Sequence, residues 1–325
     1  NQFYPKPIPF KDGSFVKELN VNGNAIICRM LSYLEGKFLG DVEYTPELIT
    51  SLGSFLAQTD MLLSQFESYV IKSRQFEWDI QYLHLNTNFI DDISKPSDRR
   101  LVRYFFQQFE EHVVPLLPEL RKSIIHNDAN EWNILVTNDA ISGLIDFGDL
   151  AYTPLINELA IAITYVCYTK DNYLKWASIL IASYHKIRPI KEEELTILYY
   201  LIAARLCTSV CNAAHSKKIN PDNIYASSSE ESAWKMLHDW IKINPIEAKN
   251  RFLSAAGYET PDPPSIETLI DRRHNIMSPI LSLSYDTPIC MERSAFQYMY
   301  DAYGNTFLDA YNNIPHVGHC HPTVV

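Results

Sequence analysis

The side chains best suited to chemistry lie in one stretch, residues 124 to 149, which reads IIHNDANEWNILVTNDAISGLIDFGD. Two strand-like runs in it are separated by a polar turn, and this pattern predicts a hairpin. Pairing Ile134 with Ile145 sets the register of that hairpin. Asn133 then lies opposite Asp146, with the two side chains about 5 Å apart. An amide oxygen and a carboxylate at that distance can share one hard cation, and Mg²⁺ prefers such oxygen ligands.

A further carboxylate lies five residues before Asn133. Asp128 is on the loop that follows a strand-like run ending at His126. A loop carboxylate beside a metal site can accept the proton of an attacking hydroxyl. Phosphoryl transfer requires a metal clamp for the developing charge and a residue that orients the nucleophile. The alternative is a polar loop leading into an ordinary buried hairpin, and the combined spacing argues against it.

This spacing resembles the catalytic core of the aminoglycoside phosphotransferase and choline kinase superfamily, whose members are kinase-fold enzymes that act on small molecules. The matching residues are His126, Asp128, Asn133 and the run Ile145–Asp149. The resemblance implies that Asp128 is the catalytic base and that Asn133 and Asp146 bind Mg²⁺. It also implies that His126 braces the catalytic loop and that ATP or GTP donates the phosphate.

The elements that must position these residues are those of an α+β, protein kinase-like fold. The resemblance implies the end of a small β-rich lobe, followed by a mainly helical lobe that carries the hairpin. A turn at Asn22-Gly23 predicts a β-hairpin in the smaller lobe. The run SYLEG at 32–36 is similar to the hinge between the lobes, so backbone groups of Tyr33 and Leu34 are expected to contact the nucleotide base.

Apolar periodicity and capping residues predict the helices of the larger lobe. One begins at Thr45-Pro46, another begins at about Ser97, and helical patterns extend across roughly 155–187, 192–215 and 230–242. The Pro-rich and acidic run 258–266 predicts a linker. The expected domains are a remnant of the small lobe and hinge strand, the helical lobe, the linker and a C-terminal segment, at 1–34, 35–255, 256–270 and 271–325.

The phosphate-binding parts of a kinase-like fold are not recognisable before the hinge. Such folds use a flexible loop and a strand lysine paired with a helical glutamate. No Gly-rich loop precedes residue 32. Lys6, Lys11 and Lys17 do not lie in a suitable strand-like run that precedes a helix. We therefore expect a fragment that is inactive by itself. The alternative is a pseudokinase that binds a nucleotide or another ligand.

The acceptor is expected to be an amino alcohol or a hydroxy amino acid. The runs 18–41 and 146–166 are most similar to the hydroxylysine kinase branch, with homoserine kinases and choline or ethanolamine kinases as rivals and aminoglycoside phosphotransferases as an alternative. An ammonium group on such a substrate could pair with Asp149. Trp132 and Tyr152 could contact it through cation–π attraction, worth about 0.5–2 kcal/mol.

Two further residues are candidates for contacts with the substrate. Arg205 is a charged residue in an otherwise apolar helical pattern, so its guanidinium needs a partner. It either binds a substrate carboxylate through two hydrogen bonds or forms an internal salt bridge. Glu158 matches a family acidic position after the metal-binding loop. Its alternative role is to cap or brace a helix.

Residues 271–325 resemble the opening of a class III aminotransferase, and phospho-lyases that use pyridoxal phosphate are most similar. The runs YDAYGNTFLDAYNN and HVGHCHPTVV carry this resemblance. The segment contains no lysine for a Schiff base, so it should have no activity alone. The resemblance implies pyridoxal phosphate, and a possible homodimer, only in the full-length parent. A kinase that phosphorylates an amino alcohol and a lyase that eliminates the phosphate would form a coherent fusion.

The net charge and composition of the chain disfavour a nucleic-acid-binding or membrane-spanning protein. The chain has 325 residues and a net charge of -11, which disfavours a nucleic-acid-binding surface. No apolar run reaches the length of about 18–20 residues that a membrane span needs, and no signal peptide is visible. The six cysteines are scattered without a C-x-x-C motif, as expected for free thiols in a reducing, cytoplasmic compartment.

Overall fold

The computed structural model describes residues 2–221, 230–278, 280–281, 288–310, 318–321 and 324. The α-helices are α1 Pro46–Leu63, α2 Tyr69–Ser73, α3 Pro96–His112, α4 Ile156–Cys167, α5 Tyr173–His185, α6 Glu192–Thr196, α7 Leu198–Ile219, α8 Glu230–Trp240, α9 Pro245–Ala255 and α10 Ile266–Ile276. The strands are β1 Pro7–Ile8, β2 Lys17–Val21, β3 Asn24–Cys28, β4 Met30–Leu31, β5 Lys37–Phe38, β6 Lys122–Ile125, β7 Ile134–Thr137, β8 Ala140–Leu144, β9 Ala151–Pro154, β10 Met291–Ala295, β11 Tyr298–Asp301 and β12 Thr306–Leu308. Turns of 3₁₀ helix cover Leu39–Asp41, Ile80–Asp92, Val114–Leu116 and Phe147–Asp149.

The predicted N-terminal hairpin is present. Strands β2 and β3 are antiparallel, and Val21 pairs with Asn24 across a two-residue turn. Both turn residues have positive φ, 53° at Asn22 and 85° at Gly23, which explains why this Asn-Gly pair forms the turn. β1 pairs with β4 beside this hairpin.

Helix α1 begins as predicted. The Thr45 side chain accepts a hydrogen bond from the backbone N–H of Leu48 (3.1 Å), and Pro46 occupies the first turn. The apolar residues of this helix are buried from Leu48 to Leu56, whereas Leu62 near its end is 48% exposed and Phe66 just after it is 51% exposed. The buried face of α1 therefore ends one to two turns before its series of apolar residues ends.

The rest of the helical lobe follows the prediction with two breaks, one of which lies at Ile197 and divides the pattern 192–215 into α6 and α7. The pattern across 155–187 forms two helices, α4 and α5, and the Asn172 side chain caps the second by accepting from the N–H of Lys175 (3.1 Å). Every residue of α4 is buried, and α7 is buried from Leu198 to Cys211. These two helices therefore form the centre of the lobe, where they support the loops around β6–β9.

Short antiparallel sheets form the surface on which the polar motif lies. β7 is the middle strand of the sheet β5-β7-β8, and β6 pairs with β9. Ile124, Ile125, Ile134 and Leu144 are buried at 2% exposure or less. The ends of these strands are thus fixed by packing against the helices.

The C-terminal strands pack against the helical lobe. Strands β10, β11 and β12 form one sheet, in which the turn between β11 and β12 includes Gly304 and Asn305. Tyr300 is 1% exposed, and its hydroxyl donates to the carbonyl of Ile241. Asn244 Nδ2 donates to the carbonyls of Asp301 and Asn305, both at 2.9 Å.

The division into domains stays a prediction. Helix α10 begins inside the expected linker 256–270 and crosses its end. Residues 279, 282–287, 311–317, 322–323 and 325 of the aminotransferase-like segment lie outside the described residues. In the part of the chain that the structure describes, no helix is both long and apolar enough to cross a membrane.

Candidate active site

Residues 126–133, which we call the motif loop, run from β6 to β7 and are anchored by His126. The imidazole is fully buried. Its Nε2–H donates to the carbonyl of Ile145 (3.0 Å), while Nδ1 accepts from the backbone N–H of Asp128 (3.3 Å). These roles require the neutral ring, and burial lowers the pKa of His126, which favours that form. His126 thus ties the motif loop to the residue that precedes Asp146.

Glu158 braces the same loop from α4. Its Oε2 accepts from the backbone N–H of Asn127 (2.9 Å), a residue held at φ 67°. Burial raises the pKa of Glu158 to about 8, and the nearby Asp60 carboxyl acts in the same direction. The side chain is fully buried, so the expected contact with substrate is not supported. The bracing role is the alternative that these contacts favour.

Asp128 is surrounded by hydrogen-bond donors. Its Oδ2 accepts from Nδ2 of Asn133 (2.8 Å) and from Nδ2 of Asn130 (2.9 Å), and its Oδ1 lies 3.0 Å from Nη2 of Arg205. The side chain is 20% exposed, so one side still faces solvent. Burial raises the pKa of Asp128 to about 6, while the positive charge of Arg205 opposes that rise.

Arg205 forms the internal salt bridge that was one of its two expected roles. Its guanidinium is 1% exposed and lies against Asp128. Nη2 also donates to the hydroxyl of Tyr165 (2.8 Å), and Nη1 donates to the carbonyl of Trp78 (3.2 Å). A guanidinium held in this way cannot grip a substrate carboxylate, so that expectation is corrected.

The predicted hairpin register is wrong. Ile134 pairs with Leu144, not with Ile145, and the backbone N–H of Ile145 donates to the carbonyl of Asn133 (2.9 Å). Asn133 therefore lies opposite Ile145 rather than Asp146.

Two local features shift the register. Asn138 and Asp139 both have positive φ, 51° and 58°, and form a two-residue turn between Thr137 and Ala140. An irregularity between Leu135 and Val136 then adds one residue on β8.

Asn133 and Asp146 nevertheless flank the same end of the hairpin. Asn133 directly precedes β7, and Asp146 follows β8 in a left-handed conformation with φ 59° and ψ 75°. Oδ1 of Asp146 accepts from the N–H of Gly148 (3.2 Å). The next ring, Phe147, stands edge-on to the His126 imidazole at 4.9 Å between centroids.

Asp149 and Tyr152, two of the predicted substrate residues, already face cations of this chain. Arg74 Nη2 lies 3.5 Å from Oδ1 of Asp149, and Arg74 Nη1 donates to the carbonyl of Gly148 (2.7 Å). Lys72 Nζ lies 5.3 Å from the centre of the Tyr152 ring. Any substrate ammonium at these two residues would compete with Arg74 or Lys72.

Trp132, one of the two cation–π candidates, and Tyr33 of the predicted hinge are both exposed. Trp132 is 47% exposed and contacts Phe38 edge-on at 5.9 Å between centroids. Tyr33 is 86% exposed. Leu34 packs over β8, because a Cβ on Gly143 would lie 3.1 Å from Leu34 Cδ1. The predicted hinge thus runs beside the hairpin.

Residues that the sequence interpretation did not single out also lie at this site. The carbonyl of Phe3 accepts from the N–H of Leu144 (3.0 Å), and the Tyr4 ring lies 6.0 Å from that of Phe147. Oε2 of Glu131 is buried and has no hydrogen-bond partner among the described residues. Burial raises the pKa of Glu131 to about 7, with Asp128 acting in the same direction. In the sequence, the position of Glu131 inside the motif loop was the feature that could have identified it.

Comparisons with known proteins identify the family of the chain. The model of the phosphotransferase enzyme family matches residues 5–192. Mouse hydroxylysine kinase is 27% identical over 248 residues, which are 72% of this chain and 66% of that protein, so the chain spans just under two thirds of this relative. Ethanolamine-phosphate phospho-lyase homolog 1 of Caenorhabditis elegans is 41% identical over 71 residues, 22% of this chain and 15% of the relative.

A solved structure confirms the fold. Amicoumacin kinase, determined in complex with AMP-PNP, Ca²⁺ and its ligand, superposes with a TM-score of 0.54 at 16% identity, covering 73% of this chain and 72% of that one. The expected kinase-like fold is therefore present.

Proposed function

We propose, because the chain belongs to the phosphotransferase enzyme family, that it carries the catalytic lobe of a small-molecule kinase. The acceptor would be the hydroxyl of an amino alcohol or hydroxy amino acid, of the hydroxylysine, homoserine or ethanolamine kind. Its oxygen would form a bond to the γ-phosphorus of a nucleotide while the bond to the β-phosphate oxygen breaks. The hydroxyl proton would pass to Asp128 and the nucleoside diphosphate would leave.

The observation that carries this proposal is the environment of Asp128. The carboxylate is partly exposed, its donors fix both oxygens, and burial brings its pKa to about 6. A general base works best with a pKa near the operating pH. His126 and Glu158 hold the backbone on either side of Asn127, so the base is placed by a rigid loop.

Asn133 and Asp146 fit the oxygen chemistry of Mg²⁺. Nδ2 of Asn133 is used twice, by the carbonyl and by Oδ2 of Asp128, which leaves its Oδ1 for a cation. Oδ2 of Asp146 is likewise left over, since Oδ1 accepts from Gly148. Mg²⁺ sites of this type use one or two protein oxygens and complete the shell with substrate phosphates and water. The ion would neutralise charge on the transferring phosphate.

We infer that the ammonium of the acceptor lies near Glu131. This carboxyl is three residues from Asp128, and its buried Oε2 lacks a partner in the described structure. A cationic group there would satisfy it, and the half-exposed Trp132 ring is adjacent in the chain. Asp149, which faces Arg74, is a weaker candidate.

The test is phosphate transfer by the full-length protein with Mg²⁺ and either ATP or GTP. The acceptor panel is hydroxylysine, homoserine, ethanolamine and choline. We expect transfer to one amino alcohol, its loss by at least about 100-fold in Asp128→Asn, and little change in Asp91→Asn, an exposed control. Normal turnover in Asp128→Asn would refute the assignment of the base. Nucleotide binding without transfer to any hydroxyl compound would favour a pseudokinase.

A second candidate function, a phospho-lyase fused to the kinase, is supported by the 41% identity to the C. elegans lyase homolog over 71 residues. Residues 271–325 contain no lysine, so the residues present do not fit pyridoxal phosphate. The fusion, the cofactor and a homodimer therefore concern the full-length protein. Isolating that protein and measuring cofactor absorbance and release of phosphate from phosphoethanolamine or phosphohydroxylysine tests this proposal.

A further inference from the structure

Arg74 lies beside the turn that follows the candidate metal ligand Asp146. It is the first residue after α2, and the end of its guanidinium faces that turn. Nη1 donates to the carbonyl of Gly148 (2.7 Å), and Nη2 lies 3.5 Å from Oδ1 of Asp149. The Phe76 ring covers one face of the guanidinium, with its centre 3.8 Å from Cζ. Arg74 is thus held in place although 37% of its side chain is exposed.

Both side chains of this ion pair keep unused polar atoms. A guanidinium carries five N–H groups, and Nη1 and Nη2 of Arg74 each use one of theirs toward the turn. Among the described residues Nε has no acceptor, so the edge formed by Nε and the second N–H of Nη2 is open. Oδ2 of Asp149 likewise has no donor in the described part of the chain, and this side chain is 38% exposed. The turn therefore presents an open cationic edge beside an open carboxylate oxygen.

An ordinary surface ion pair does not account for this arrangement. Charged N–H···O contacts are usually about 2.7–2.9 Å long, so the 3.5 Å contact of Arg74 with Asp149 is weak. Exposed ion pairs also contribute little to stability. The Phe76 ring and the Gly148 carbonyl nevertheless fix the orientation of the guanidinium. A planar fork fixed in this way suits recognition of a carboxylate through two parallel hydrogen bonds.

Two other cations near this site are already occupied. Arg205 is buried against Asp128 and cannot reach a substrate carboxylate. The ammonium of Lys72 pairs with Glu67. Arg74, in contrast, keeps an open edge next to the turn that carries the candidate metal ligand, so it is the better candidate for binding an acceptor carboxylate.

We propose that Arg74 and Asp149 together bind the head group of an α-amino acid, with the carboxylate on the open edge of Arg74 and the α-ammonium on Asp149. This inference rests on the proposed function and narrows its acceptor to a hydroxy amino acid. A simple amine at Asp149 would compete with Arg74 and leave that cation without a partner, whereas a zwitterion gives each charge a partner. The ammonium near Glu131 is then a second one, beside the reacting hydroxyl, as in hydroxylysine.

The experiment compares acceptors that differ only in the carboxylate: hydroxylysine and homoserine, each with its decarboxylated analogue. The full-length protein is assayed with Mg²⁺ and ATP or GTP. In the wild type, kcat/KM should favour the amino acid over its analogue by at least about 100-fold, because a site built for hydrogen bonds rejects a compound that lacks their partner. In Arg74→Met this preference should fall below about fivefold, mainly through a higher KM for the amino acid. Arg74→Lys keeps the charge but not the fork, so its preference should lie between these values.

Arg103→Met is the matched control, because Arg103 is another partly exposed arginine, paired with Asp91 at 2.7 Å, and it should keep the wild-type preference. A wild-type preference in Arg74→Met would overturn the inference, and so would transfer to ethanolamine or choline alone. Both outcomes leave the proposed function standing. Transfer to no hydroxyl compound would overturn both. If Arg74→Met does not fold, an unchanged preference in Arg74→Lys would equally overturn the inference.

Discussion

Side chains at the motif loop divide their atoms between two tasks. Asn133 uses its amide nitrogen to hold Asp128, which leaves its oxygen for another partner. Asp146 uses one oxygen to hold Gly148 and has one left. The hydrogen bonds that shape the loop therefore also determine which atoms face a cation.

We expect Asp146→Asn to raise the Mg²⁺ concentration needed for half-maximal activity by at least about tenfold, because it removes a charged oxygen ligand. Mn²⁺ binding, measured by electron paramagnetic resonance, should weaken in parallel. Asp91→Asn removes an exposed carboxylate elsewhere and should change neither value. An unaltered metal dependence in Asp146→Asn would remove this residue from the metal site.

Glu158 makes the stability of the lobe depend on pH. Its pKa is raised to about 8 by burial, so the folded protein keeps the proton while the unfolded chain loses it above about pH 4.5. The unfolding free energy should therefore fall as pH rises from about 4.5 to 8. In Glu158→Gln the side-chain oxygen can still accept from Asn127, and this decline should become shallower.

Urea unfolding at pH 5 and pH 8 measures the effect. Glu110→Gln, at an exposed position of α3, is the control and should keep the wild-type decline. Glu158→Ala should instead be destabilised by about 1–3 kcal/mol, because the N–H of Asn127 loses its acceptor. A decline in Glu158→Gln as steep as that of the wild type would contradict the argument.

For single residues, the sequence identified those inside the motif but not the distant residues that contact them. The spacing of Asp128, Asn133 and Asp146 indicated one site, and the structure places them at one end of the hairpin. The ion pair of Asp128 with Arg205 joins residues 77 apart in the chain, and no local pattern specifies such a contact. Glu131 was within the motif but has no distinguishing spacing.

Among the secondary-structure elements, types were predictable and registers were not. Alternating apolar residues predicted β7 and β8, yet a two-residue turn and an added residue on β8 changed every partner. A hairpin register depends on turn length and bulges, and a single residue exchanges the two faces of a strand. The N-terminal hairpin was predictable because Asn-Gly strongly favours a two-residue turn.

The contact between α1 and α5 depends on one glycine. A Cβ on Gly53 would lie 2.0 Å from Ser183 Oγ and 2.7 Å from the carbonyl oxygen of Leu180. Backbone at that distance cannot move without shifting α5. Alanine gains up to about 1 kcal/mol in helix propensity, and the clash should exceed that gain.

We therefore expect Gly53→Ala to lower the unfolding free energy by about 1–3 kcal/mol, the usual cost of overpacking, measured by urea denaturation. Ser183→Ala alone should be mild, and combined with Gly53→Ala it should rescue little, since the Leu180 carbonyl remains in place. If Gly53→Ala instead stabilised the protein, α1 and α5 would be able to move apart and accommodate the added methyl group.

For the whole molecule, the question is whether the C-terminal sheet belongs to the same folded body as the helical lobe. Its resemblance to another enzyme suggested a separate unit joined by a linker. The structure instead buries Tyr300, whose hydroxyl donates to the carbonyl of Ile241 just after α8, and the Phe296 ring lies 5.4 Å from the Tyr104 ring of α3. Composition marked the linker, but a docking contact depends on tertiary packing that composition does not reveal.

Tyr300→Ala tests this coupling. If sheet and lobe unfold together, loss of the buried ring should cost about 3–5 kcal/mol and lower the midpoint of the lobe itself. All five tryptophans precede residue 241, so their fluorescence reports only on the lobe. Tyr303→Ala, at a 41% exposed position in the turn between β11 and β12, should leave that fluorescence midpoint nearly unchanged. A tryptophan transition that is identical in Tyr300→Ala and wild type would mean that the sheet unfolds independently, because the lobe would then not sense the loss.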